Sequence, residues 1–236
     1  MLINDLSPFF IDEKKMHLLL NSEFKKNSKE IGMNITPIQV NPTKNQKQSF
    51  RFTIPKENDK LFWCYFIIIH GEIAYQIQEN KHILFEKNKK IDLVSKVREN
   101  KTILKQYKLT SLSELESNLS NDKYLSLVSF FSLMILEEKN VVYLKKKCFF
   151  KSFMNDSDTV YLISHNYGVC EITKAQFDEL KEANLEINSL TKPIKSMTAY
   201  KLDDLKYICE KLSIQLGEKR NKKDLYEQIV QFFSHF

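Results

Sequence analysis

The sequence has 236 residues, 42% of them apolar and 28% charged, with a formal net charge of +6. That apolar share excludes a disordered chain and suffices for one large or two modest domains. The positive excess is carried almost wholly by lysine, with arginine only at Arg51, Arg98 and Arg220. Alongside many Ile and Asn residues, this is the bias of an AT-rich coding genome, as in a large DNA virus or an AT-rich microbe. The placement of charge therefore says more about a partner than its sum.

The longest apolar run, Leu61–Ile69, falls well short of a membrane span. The opening "MLINDLSPFFIDEKK" has acids early and no basic segment ahead of its apolar residues, so it does not read as a signal peptide. These features predict an intracellular protein (cytoplasmic, nuclear or virion-associated) with no membrane partner. Cys64, Cys148, Cys170 and Cys209 contain no C-x-x-C pair, which argues against zinc and for reduced, buried thiols. None of the four glycines lies in a G-x-G or G-K-[ST] setting, so no phosphate-cradling nucleotide loop is expected. No cofactor and no metal is predicted.

Along the chain, residues 7–26 carry a helical pattern opened by Ser7 and Pro8, followed by a proline-bearing loop or irregular strand. "SFRFTIP" alternates like a short strand ended by Pro55. The run after Asn58/Asp59 predicts a buried helix ending at His70 and Gly71. "KIDLVSKVRENKTILKQY" and "SLSELESNLSNDKYLSLVSFFSLMILEEKN" have helical spacing, with Ser111 and Glu114 forming a capping box and Asn121/Asp122 breaking the second stretch. "NVVYLKKKCFFKSFM" and "DTVYLISHNYGVCEI" are β-rich, with "NDSD" as the turn between them. A short capped helix follows from Thr173. The predicted class is α+β. A domain spanning 1–190 is followed by the polar joint "NSLTKPIKSM" and a two-helix module over 197–236.

That module has one helix from Lys201, striped by Leu202, Leu205, Ile208, Cys209 and Leu212, with Asp203 and Asp204 in its first turn. A second helix is capped by Asn221 with Asp224 and presents Leu225, Ile229, Phe232 and Phe233. Ile214 and Leu216 are expected to fill the gap between the helices. "YKLDDLKYICEKLSI…NKKDLYEQI" resembles a SAP motif, the helix–extended-loop–helix module of chromatin and DNA-repair proteins. Lys222, Lys223, Asp224 and Leu225 match the start of that family's second helix. Arg220 stands where the family usually has glycine, and Gln228 where it ends on arginine. The resemblance implies binding of double-stranded DNA, often AT-rich, with little sequence reading. Lys219, Arg220, Asn221, Lys222 and Lys223 are the predicted contacts, cations gathered where free backbone N–H groups also meet phosphate. A module of this kind can also grip protein, which would make the chain a scaffold.

Cys64 lies near the start of a helix and His165 on or after a later strand, with Asn58 six residues ahead of the thiol. This chain order resembles that of papain-like cysteine peptidases, a resemblance that implies Asn58 as an oxyanion-hole amide. "LSLVSFFSLMILEEKNVVYL" also looks like the helix-then-strand that precedes the histidine strand of OTU-type deubiquitinases. The resemblance implies Cys64 as nucleophile and His165 as base, in an active or an inactive form of the fold. Against this stand the aromatic neighbours Phe62, Trp63 and Tyr65, which suggest a packed, inert thiol.

Overall fold

The fold is built around one helix that is apolar on every side. In the computed structural model, which describes residues 50–78, 82–215 and 221–234, helix α1 (Lys60–His70) buries Leu61 through Ile68. Asp59 caps it, its side chain accepting from the Phe62 N–H at 3.2 Å. Gly71 ends it at φ 85°, a conformation that costs glycine little. The helix expected over 7–26 lies outside the described residues, as do Leu216, Lys219 and Arg220.

Helices α2 (Glu72–Ile77), α3 (His82–Glu99), α4 (Lys101–Tyr107), α5 (Leu112–Ser120) and α6 (Leu127–Leu136) follow. The Ser111–Glu114 capping box forms in both directions. The break at Asn121/Asp122 separates α5 from α6, and Ser126 caps α6. Like α1, α6 is buried along most of its length.

Strands β1 (Val141–Lys145), β2 (Cys148–Ser152), β3 (Thr159–Ser164), β4 (Val169–Thr173) and β5 (Leu185–Glu186) form one mixed sheet in the order β4-β3-β1-β2-β5. Helix α7 (Lys174–Ala183) sits between β4 and β5 in the chain, capped by Thr173. The first β-rich string is a hairpin. Its turn at Lys146 and Lys147 pairs Lys145 with Cys148, and Lys146 takes φ 52°. Alternation sorts the strands between two layers. Val141, Tyr143 and Ile163 join the large core with α1 and α6, whereas Val142, Val160 and Leu162 pack with Phe177 and Leu180 of α7.

"SFRFTIP" is not a full strand. Its described residues make a single antiparallel bridge, Thr53 to Val169, with reciprocal bonds of 2.9 and 3.0 Å. Pairing stops there because Phe50 and Phe52 turn into the cluster beneath α7 and Pro55 has no N–H to offer. Gly168 lets the segment come close: a Cβ there would lie 2.9 Å from Ile54 and 3.0 Å from Phe52.

A 3₁₀ turn (Met197–Ala199) leads into α8 (Leu202–Leu212), and α9 (Lys222–Ser234) follows. Leu205, Cys209 and Leu212 of α8 and Leu225 and Ile229 of α9 are buried, while Leu202 is 37% exposed and lies off the buried stripe. Ile214, Phe232 and Phe233 are partly buried beside them. These side chains belong to the same hydrophobic cluster as α1 and α6. The helix pair and the sheet thus fall within one unit, Ser49–Phe236.

Candidate nucleic-acid interface

Helices α8 and α9 lie side by side, and four contacts fix their relative direction. At one end, Lys147 Nζ donates to Ser213 Oγ, the residue that caps the C-terminus of α8. Its neighbour Lys146 places Nζ 5.0 Å from the ring centroid of Phe232, late in α9. The last turns of both helices therefore meet the β1–β2 turn. At the other end, Tyr226 Oη donates to the Lys195 carbonyl at 2.9 Å, and the Lys195 N–H donates to Tyr200 Oη at 3.0 Å. This joins the early part of α9 to the segment entering α8. The helices therefore run parallel.

This arrangement sorts the lysines. Lys146, Lys147 and Lys211 stand where the helices end, beside carbonyls carrying partial negative charge. Lys211 Nζ also donates to the Glu182 carbonyl of α7. They fasten the pair to the sheet and to α7. Lys195, Lys201 and Lys223 are exposed at the opposite end, with Lys222 half-buried.

Of the predicted contact residues, Asn221, Lys222 and Lys223 can be placed. Asn221 caps α9, its Oδ1 accepting from the Asp224 N–H at 2.8 Å while its Nδ2 donates to Asp224 Oδ2 at 2.9 Å. Helical geometry leaves the Lys222 and Lys223 amides without an intrahelical acceptor. The acids nearby are engaged locally. Asp203 pairs with Lys206 at 3.2 Å, Asp204 accepts from the Lys201 N–H at 2.7 Å, and Glu227 pairs with Lys223 at 3.9 Å. Such exposed pairs are weak and exchange readily with another anion.

The peptidase residues are placed differently. Cys64 is the fifth residue of α1, 0% exposed, and its Sγ donates to the Tyr167 carbonyl at 3.0 Å. Burial, reinforced by the Asp59 charge, pushes its pKa far above the ordinary thiol value. The bond does bring α1 beside the turn that carries His165. His165 itself is exposed on that turn, and Asn58 is exposed ahead of α1. No hydrogen bond links either of them to the thiol among the described residues. A neutral, fully buried thiol bonded to a carbonyl is not a ready nucleophile. The expectation of four buried thiols needs one correction: Cys170, on edge strand β4, is half-buried, whereas Cys64, Cys148 and Cys209 are buried.

The interior also holds a charged network that periodicity alone does not reveal. Lys90 Nζ bonds Asp59 Oδ2 at 2.6 Å and Glu86 Oε1 at 2.8 Å. Asp59 also accepts from the Leu125 N–H at 2.8 Å, and Glu86 from Trp63 Nε1 at 3.0 Å. The network ties α1, α3 and the α5–α6 connection together beneath a cleft of about 730 Å³. The Glu86-x-x-x-Lys90 spacing was its only sign in the sequence. Among the described residues there is no metal-holding cluster of His, Cys, Asp or Glu, and no helix long and apolar enough to cross a membrane. No family model, curated protein or solved structure matches the chain, so the SAP resemblance rests on the sequence alone.

Proposed function

We propose that the chain binds double-stranded DNA through its C-terminal helix pair, contacting phosphates and reading little sequence. The observation that carries this reading is the start of α9. Lys222 and Lys223 stand there beside two amides without intrahelical acceptors, at the end of the pair turned away from the sheet contacts. Side-chain cations and backbone donors at one spot suit a phosphate. Lys219 and Arg220, which precede Asn221 in the chain, add to the charge. DNA attachment of a larger assembly is the corresponding cellular role.

The test is a salt titration of the full chain on short duplexes, followed by fluorescence anisotropy. Each neutralised phosphate contributes about −0.9 to the log–log slope, so three or four contacts give roughly −3 to −4. AT-rich and GC-rich duplexes should show the same slope, with affinities close to one another or favouring AT. Absence of binding at low salt would overturn the reading and leave the helix pair as a protein-docking element.

A further inference from the structure

The parallel course of α8 and α9 brings together cations that are not among the contacts predicted from the sequence. The bonds from Tyr226 Oη to the Lys195 carbonyl and from the Lys195 N–H to Tyr200 Oη hold the joint against α9 and against the segment entering α8. Tyr226 lies one helical turn beyond Lys222, so the joint passes beside the early turns of α9. Lys201 immediately precedes α8. Lys195 and Lys201 are both exposed, and so is Lys192 one turn of chain earlier. The backbone at Lys195 and Lys201 is fixed while their side chains project into water. The Lys195 N–H and carbonyl are bonded to the two tyrosines, and the Lys201 N–H to Asp204 Oδ2 at 2.7 Å.

We infer that the DNA-contacting surface extends from α9 onto the joint, with Lys195 and Lys201 as further phosphate contacts. This rests on the DNA reading above. A single row of cations touches one stretch of backbone. Cations on two chain segments, anchored a tyrosine's length apart, can touch successive phosphates or both strands across a groove. The surface so formed carries Lys195, Lys201, Lys222 and Lys223, with Asp203, Asp204, Asp224 and Glu227 as its acids. All four of those acids are held in local pairs or caps. The lysines of the β1–β2 turn lie at the far end of the helices and are excluded from it.

The experiment compares the full chain with Lys195→Ala/Lys201→Ala and Lys222→Ala/Lys223→Ala on one duplex, across a range of salt. Each double variant should flatten the slope by about two units and weaken binding to all duplexes alike. Lys195→Arg/Lys201→Arg should keep the wild-type slope, and equal melting temperatures of all variants show that folding is intact. If the wild type binds and Lys222→Ala/Lys223→Ala flattens the slope while Lys195→Ala/Lys201→Ala does not, this inference fails and the DNA reading stands. If the wild type does not bind, both fall.

Discussion

Lys90 and Lys223 have the same side chain and opposite uses. The Lys90 side chain is 6% exposed and sits between two carboxylates, in a network that closes the core over α1. The Lys223 side chain is 75% exposed and has one loose partner, Glu227, at 3.9 Å. Between these extremes lie Lys146, Lys147 and Lys211, surface residues whose contacts fasten α8 and α9 to the body. In a lysine-rich chain, composition does not separate structural lysines from those available to a ligand. Neighbouring carboxylates and the polarity of nearby helix ends do.

The interior lysine should show the largest effect. Lys90→Ala strands Asp59, whose side chain is 2% exposed, without its counter-charge. The expected loss is about 3–5 kcal/mol in chemical denaturation. Burial alone would lower the Lys90 pKa, but hydrogen bonds and charge from Asp59 and Glu86 outweigh it, and the value stands above 10.5. A raised folded-state pKa means that the contribution is complete below the unfolded value and is lost as pH climbs through the folded one. Wild-type stability should therefore fall above pH 10.5, and the Lys90→Ala difference should shrink over the same window. A surface-like loss under 1 kcal/mol would erase the contrast with Lys223.

The next effect concerns the core shared by the tail and the body. Leu205→Ala opens space at a fully buried position of α8 and should cost about 2–5 kcal/mol. Its unfolding should remain a single transition. Proteolytic nicking in the exposed stretch around Lys192 should leave both fragments co-eluting, because Leu205, Cys209, Leu225 and Ile229 pack in the cluster that contains α1 and α6. Separation of the fragments would show that the helix pair is an independent module, as the boundary read at 190 implies.

A smaller contrast divides the cysteines. Half-buried Cys170 should react first with iodoacetamide, and Cys64 only when the protein opens. Burial also raises the Cys148 thiol, to about 12, which places it with the slow group. Rapid, selective alkylation of Cys64 would reinstate the peptidase reading.

Much of the fold was legible in the sequence because its signals are local. The Asp59 cap and Gly71 stop bound α1, Ser111 with Glu114 opens α5, and Asn221 with Asp224 opens α9. What was missed is long-range. The two-residue strand β5 exists only because Leu185 and Glu186 pair with Cys148 and Phe149. "SFRFTIP" reads as a strand, yet its phenylalanines are claimed by the cluster under α7. The tail's stripes were readable as helices, but the parallel course of the pair was not. It depends on Lys146, Lys147, Lys195 and Tyr226, which are far apart in the chain. The sequence offered Cys64 as a reactive thiol because helix starts favour thiolates, and the packing of α1 removed the solvent that such a thiolate needs.

On the proposed DNA reading, one end of the helix pair is fastened to the sheet while the other faces phosphate. Its most direct test sets two double variants of the full chain side by side on the same duplex: Lys146→Ala/Lys147→Ala and Lys222→Ala/Lys223→Ala. The α9 variant should lose about two units of salt slope and keep its melting temperature. The turn variant should keep its slope and lose about 1 kcal/mol of stability, the scale of a side-chain hydrogen bond and an exposed cation–π contact. Equal losses of slope in both variants, or loss from the turn variant alone, would contradict the account.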